Sequence, residues 1–199
     1  MSTRATLTTA TLAVVALLLA ACTAGGPTPP AVTRAADTPA TSAGDPGASA
    51  PAAAEPWRTA ELRDVRTGER FRIADLAGQL VVIEPMAIWC VNCATQQRQA
   101  VKALAALDRD DIVYISLDID GLEAEPDLAA YADEGGFGWR FVVASREVAR
   151  SLAQTFGDQV LSPPSTPRII VTPAGEVVGP DFGIQDAAAI EVELRSHLS

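Results

Sequence analysis

Hydrophobic and polar positions switch between two periods from residue 57 onward, and the switches mark out the elements. Residues 60–66 and 69–73 flank Thr67-Gly68 and predict a hairpin, with 74–77 as a short helical turn before Gly78. The unbroken apolar run Leu80-Val81-Val82-Ile83 predicts a strand buried on both faces. Residues 92–107 place Val101, Leu104 and Leu107 at helical spacing on an Ala-rich face. A strand follows at 112–117, a helix at 127–134 stopped by Gly135-Gly136, and a strand at 140–143. The next helix, 145–156, has Ser145 in the N-cap position and Gly157 as its stop. Residues 168–171 and 176–178 flank Pro173-Ala174-Gly175 as a second hairpin, and 186–198 close the chain as a helix. Strands alternating with helices and ending in a hairpin predict an α/β domain whose central mixed sheet is flanked by helices.

The chemistry sits where the apolar strand hands over to the first long helix. Trp89-Cys90-Val91-Asn92-Cys93 puts two thiols at a helix start, close to unsatisfied backbone N–H groups and the positive end of the helix dipole. Both features favour the thiolate, which is the nucleophile of disulfide exchange, so the pair reads as a redox site acting on cysteines of other proteins.

The N-terminal 56 residues follow another pattern. Residues 1–21 carry one charge, Arg4, and an apolar stretch at 12–20 that is short for a bilayer span, as in an export signal. Leu19-Ala20-Ala21-Cys22 resembles the bacterial lipobox, in which cleavage precedes the cysteine and lipid joins its sulfur; an uncleaved anchor or an ordinary signal peptide would still export the domain. With Cys22 lipidated, the two remaining thiols pair with each other or with a partner. Residues 22–56, beginning at Cys22, are then a tether of Ala, Thr, Pro, Gly and Ser, too poor in large apolar groups to offset their ordering entropy. Such a tether reaches roughly 100 Å extended and about 30–35 Å as a coil. Residues 57–199 suit a single domain.

Charge narrows the partners. Loss of residues 1–21 removes Arg4 alone and takes the formal charge from -10 to -11. A domain this acidic, without a basic cluster, is repelled by nucleic acid and by anionic membrane surfaces.

The order of elements, Trp89-Cys90-x-x-Cys93, Thr166-Pro167 before a strand and the hairpin at 173–176 together resemble membrane-anchored thioredoxin-like proteins of the TlpA and ResA type, over residues 60–199. The resemblance implies a thioredoxin-like fold, with residues 119–139 as the insertion of this subgroup. It implies a cis peptide bond before Pro167 beside the disulfide, and a backbone at Thr166 offered to the substrate chain. Trp89 is expected to shield the disulfide. Glu84, six positions before Cys90, stands where thioredoxin has a buried acid. Burial would raise its pKa and let it serve Cys93 as proton acceptor; the alternative is a solvated groove or an Arg partner.

The chain departs from the pattern at several positions. Pro85 falls inside a central strand, where an N–H is normally needed, and predicts a bulge. Pro85 and Met86 stand where relatives carry aromatic residues, Asn92 replaces a common proline, and Gln96 is neutral where some cytochrome-maturation relatives have an acid. Asp118, Asp120, Glu123, Glu125 and Asp127 miss the EF-hand spacing and read as a solvated acidic loop.

The resemblance implies an enzyme, a lipid-anchored extracytoplasmic thiol-disulfide oxidoreductase, with Cys90 attacking and Cys93 resolving. Reductase is the leading direction, with a membrane electron-transfer protein as partner, exported cysteine-containing clients, cytochrome c maturation as one pathway, and no cofactor or metal. Oxidase or isomerase activity is the alternative. A copper chaperone would want a histidine near the motif, yet His197 is remote, and a structural zinc site wants about four ligands. A thiol peroxidase would want a Thr where Ile88 stands. A binding lipoprotein with a merely structural disulfide is disfavoured, because so small a loop contributes little stability.

Overall fold

The computed structural model describes residues 55–198, all within the compact unit Gly47–Ser199. The export signal, Cys22 and the tether up to residue 54 lie outside the described residues. Among those described, no helix is long and apolar enough to cross a membrane.

A one-turn helix α1 (Pro56–Thr59) opens the fold, with Pro56 in its first turn, where a missing N–H costs nothing. It carries Trp57 into the core, against Phe156 at 5.4 Å between ring centroids. The first hairpin pairs β1 (Leu62–Arg63) with β2 (Arg70–Phe71) as a separate two-stranded sheet. Leu62 and Phe71 face inward, and Gly68 takes the left-handed turn conformation (φ 73°). A 3₁₀ turn at Ile73–Leu76 leads into the main sheet.

That sheet has five strands in the order β5-β4-β3-β6-β7. β3 (Leu80–Met86), β4 (Ile112–Asp118) and β5 (Arg140–Val143) run parallel, as right for strands joined by helical crossovers. β6 (Arg168–Val171) is antiparallel to β3, and β7 (Val177–Asp181) antiparallel to β6. The crossovers are α2 (Val91–Leu107), α3 (Glu125–Glu134) and α4 (Arg146–Phe156), and α5 (Ala187–Ser196) follows β7. Ser145 caps α4 by accepting from Val148 N at 3.2 Å, and Asp186 caps α5 by accepting from Ala189 N at 2.8 Å.

Strand alternation sorts the core into layers. Odd positions of β3 and β4 (Val81, Ile83, Ile115, Leu117) pack with Trp57, the hairpin and α4. Even positions (Leu80, Val82, Tyr114) pack with Ala100, Ala103 and Leu107 of α2 and Ile190 and Leu194 of α5. Where β3 ends, Met86, Ala87, Cys90 and Cys93 meet Leu128 and Ala132 of α3 with Phe137 and Phe141. The disulfide is therefore embedded in core on its inner side.

Two expectations need correction. No bulge forms at Pro85: β3 runs in continuous register with β4, Pro85 opposite Leu117. Leu80 N donates to Asp111 O and Ile119 N to Met86 O, so even residues of β3 bond to β4 and odd residues turn their N–H toward β6. Pairing with β6 ends at Ile83, so the nitrogen of Pro85 faces no partner and its lack of a hydrogen leaves no ladder bond unmade. The second correction concerns Pro167. The cis peptide bond among the described residues precedes Pro180, and the Thr166–Pro167 bond is trans. Chain reversal into β6 is made instead by Thr166, left-handed at φ 46°, ψ 58° after the 3₁₀ turn Pro163–Ser165.

Candidate functional site

β3 delivers the chain to a tight turn, with Cys90 N donating to Ala87 O at 3.1 Å, and α2 begins at the next residue. Cys90 is the N-cap of α2, and its sulfur accepts the backbone N–H of Cys93 at 3.1 Å. A sulfur in that place uses one of the helix's orphan donors. Cys90 and Cys93 form a disulfide, with 5.2 Å between their Cα atoms. Cys90 keeps 2% of its surface exposed and Cys93 none, so a partner reaches the first sulfur before the second.

The segment ahead of β6 covers the other side. Cys93 Sγ lies 3.2 Å from the carbonyl oxygen of Pro163, and Asn92 Nδ2 donates to Pro164 O at 2.9 Å. Pro163 thus brings a carbonyl acceptor to the buried sulfur, and Pro164 ties the same segment to the first turn of α2. Thr166 is buried, its N–H donates to Pro163 O at 2.9 Å, and its Oγ1 has no hydrogen-bond partner. A β-branched residue at positive φ is strained, and this one directly follows the 3₁₀ turn whose Pro163 carbonyl meets Cys93 Sγ.

Glu84 is buried, not in a solvated groove, on the β3 face that looks at α2. Its Oε2 accepts from Tyr114 OH at 3.2 Å, Ser116 Oγ at 3.2 Å and Gln97 Nε2 at 3.3 Å, while Oε1 has no partner. Burial pushes the carboxyl up to about 7, against the opposing pull of these donors and of the Arg168 charge. Gln97 lies one helical turn beyond Cys93 on the same face of α2, so the carboxyl's network borders the buried cysteine. The network continues outward: Gln97 Oε1 accepts from Tyr131 OH at 2.6 Å, and Ser116 Oγ accepts from Trp139 Nε1 at 2.9 Å. Burial, reinforced by the Glu84 charge, raises the Tyr131 phenol to about 12 and that of Tyr114 well above its usual range, so both remain donors. Gln97, Tyr114 and Ser116 carry no sequence signal of their own; strand register and helix phase assemble them.

Trp89 is 55% exposed, and its indole N–H donates to Asp120 at 2.7 Å, so it borders the disulfide as an exposed ring. Val91, Leu122, Phe182 and Ile184 are exposed apolar side chains nearby in the chain or tied to the site: Gly183 N donates to Ser165 O at 2.8 Å and Gln185 N to Gln96 Oε1 at 2.8 Å. Asp118 corrects the picture of a wholly solvated acidic loop. It is buried at the end of β4, accepts from Asp120 N at 3.1 Å and faces Glu123. Burial first, then the Glu123 carboxyl, pushes it up to about 7. No group of three or more His, Cys, Asp or Glu among the described residues could hold a metal ion.

A cavity of about 560 Å³ opens at the far end of α2, between Leu107, Arg109, Arg195 and Leu198. A 17-residue helix separates it from the disulfide, roughly 25 Å of rise, too far to serve the thiols.

No protein-family model matches the chain, and no curated protein matches it. Solved structures do. A thioredoxin-family thiol:disulfide interchange protein from Chlorobium tepidum TLS superposes with TM-score 0.59 at 19% identity, over 70% of this chain and 92% of that one. The thioredoxin domain of a Bacteroides vulgatus thiol-disulfide oxidoreductase gives 0.56 at 14%, over 70% and 92%. A secreted Mycobacterium tuberculosis disulfide oxidoreductase homologous to E. coli DsbE gives 0.55 at 12%, over 72% and 99%. The chain has the thioredoxin-like fold, with a Cys-x-x-Cys disulfide at the head of its first long helix.

Proposed function

We propose that this protein is an extracytoplasmic thiol-disulfide oxidoreductase acting on cysteines of partner proteins, with reduction as its leading direction. The observation that carries the reading is the Cys90 sulfur at the N-cap of α2, where the Cys93 N–H and the helix dipole stabilise a thiolate. In the reduced protein, Cys90 thiolate attacks a client disulfide, forming a mixed disulfide and expelling one client thiolate. Glu84 accepts the Cys93 proton; Cys93 thiolate then attacks the Cys90 sulfur and releases the second client thiolate. The client gains two electrons, and the protein is left with the Cys90–Cys93 disulfide.

Trp89 and Val91 supply an exposed apolar rim for a client segment, and Thr166 and Pro167, which follow the turn whose Pro163 carbonyl meets Cys93 Sγ, are the second side of that client site in this reading. Because the Thr166 N–H is engaged by Pro163, the backbone group it offers a client is its carbonyl. Recharging requires an electron donor, for which a membrane electron-transfer protein is the fitting class. The lipobox-like Leu19-Ala20-Ala21-Cys22 and the tether favour lipid anchoring at Cys22 on the outer face of a bacterial cell membrane, and cytochrome c maturation is one client pathway of that compartment.

The test is the equilibrium potential of the purified protein, titrated in a thiol buffer and read by mass after alkylation. A value near that of thioredoxin, about -270 mV, supports the reductase; one near that of DsbA, about -120 mV, makes it an oxidase. A pair that does not cycle overturns the enzyme.

A further inference from the structure

Arg168 is the first residue of β6, next to Pro167, and it is 2% exposed. An arginine is almost never buried without a partner. Its partner is Glu193 of α5, at 2.6 Å, while its Nε has none. The β3–β6 register pairs Val82 with Ile170 and Ile83 with Ile169. Continuing that register by one residue past its last pair brings Glu84 and Arg168 to facing positions, and the Arg168 charge acts on the Glu84 carboxyl. Directly opposed side chains in an antiparallel pair are within interaction range. The guanidinium nevertheless bonds Glu193 rather than Glu84, so its charge is felt by the carboxyl without being spent on it.

We infer that Arg168 is a positioning residue for the redox step: anchored on Glu193, it holds a buried positive charge across from Glu84 and governs when that carboxyl is charged. The inference rests on the proposed role of Glu84 as proton acceptor for Cys93. The groups around Glu84 make the assignment specific. β4 offers Tyr114 and Ser116, α2 offers Gln97 and α3 offers Tyr131, none of them a cation. Arg168 is the cation whose charge lowers the proton affinity of Glu84. Behind it, burial raises the Glu193 carboxyl, opposed by the Arg168 charge and reinforced by Asp181 of β7. Removing the cation disfavours the carboxylate of Glu84. Removing the anchor leaves the cation unopposed and free to turn toward it.

The two substitutions therefore act in opposite directions, which a loss of packing cannot do. The experiment is infrared titration of the full chain, following the protonated-carboxyl stretch assigned to Glu84 by its loss in Glu84→Gln. Arg168→Gln is expected to raise the midpoint by roughly half a unit or more, Glu193→Gln to lower it, and Arg168→Lys to stay near wild type. If Arg168→Gln does not fold, the downward shift in Glu193→Gln against an unmoved Arg168→Lys decides. Midpoints that stay put, or that move in the same direction, overturn the inference. The pH profile of Cys93 alkylation in the reduced protein separates it from the underlying reading: a profile unchanged by Glu84→Gln removes the proton-acceptor role, whatever the infrared midpoint does.

Discussion

The hydroxyl of Tyr114 donates to Oε2 of Glu84 at 3.2 Å, across a β3–β4 pairing in which Val82, not Glu84, is the register partner of Tyr114. Ser116, the register partner of Glu84, donates to the same oxygen. One carboxylate oxygen thus collects donors from β4 and α2 while the other has none, an arrangement suited to a group that alternates between charged and protonated forms. A permanently ionised buried carboxylate would need partners on both oxygens.

Glu84 links stability to pH. Its folded value of about 7 stands above the ordinary 4.5, so the protonated form is favoured by folding. The stability it contributes is full below pH 4.5 and is lost as pH rises through about 7. Glu84→Gln removes that loss and is expected to stabilise the fold at alkaline pH by up to about 3 kcal/mol, with little change in acid. Urea unfolding across the pH range checks this; equal stabilisation at every pH would show that the carboxyl does not titrate in this window. The same variant is expected to slow mixed-disulfide resolution.

Cys90 and Cys93 are not interchangeable, because Cys90 retains a little exposed surface and Cys93 none. Cys93→Ser is expected to accumulate a mixed disulfide through Cys90, and Cys90→Ser to form none. Turnover should fall by roughly two orders of magnitude or more in both. Mass spectrometry after reaction with a disulfide-bonded peptide reads the adduct, and trapping through Cys93 instead would reverse the assigned roles.

Asp118 Oδ2 and Glu123 Oε2 are buried carboxyl oxygens without a hydrogen-bond partner, and the Glu123 carboxyl beside Asp118 disfavours its charged form. Asp118 is raised from 3.8 to about 7, so its contribution to stability is full below pH 3.8 and fades as pH climbs through 7. Asp118→Asn keeps an acceptor for the Asp120 N–H and removes the repulsion. Stabilisation on the order of 1 kcal/mol is expected at alkaline pH, fading in acid, in thermal melts. Because the Asp120 carboxylate holds the Trp89 indole, Trp89 fluorescence should lose part of its pH dependence in the same variant.

Thr166 tests the strain that follows the 3₁₀ turn Pro163–Ser165. Glycine adopts its positive φ freely and alanine does not, so Thr166→Gly is expected to be more stable than Thr166→Ala by about 1 kcal/mol. Denaturant midpoints compare the two, and an alanine variant as stable as the glycine one would mean that the left-handed conformation costs nothing here.

The alternation of periods along the chain determined the α/β order, the five main strands and the four longer helices, because burial on one face leaves a periodic mark; the one-turn helix Pro56–Thr59 is too short to leave one. The strand at 140–143, the cap at Ser145 and the stop at Gly157 are where the sequence places them. Trp89-Cys90-Val91-Asn92-Cys93 marked the site, because a Cys pair at a strand-to-helix junction constrains chemistry as well as shape. Glu84 stood out because an acid amid Val81, Val82, Ile83 and Met86 contradicts its neighbours. Tertiary structure decided the rest. Pro85 needs no bulge because β6 pairing stops short of it, which depends on strands distant in sequence. The turn before β6 is made at Thr166 rather than by a cis bond at Pro167, a backbone choice that the dipeptide does not encode. The partners of Glu84, the Pro163 carbonyl beside Cys93 and the Glu193 anchor of Arg168 arise where register and helix phase bring remote residues together. A hydrogen bond between residues far apart in the chain leaves no periodic signal at either one.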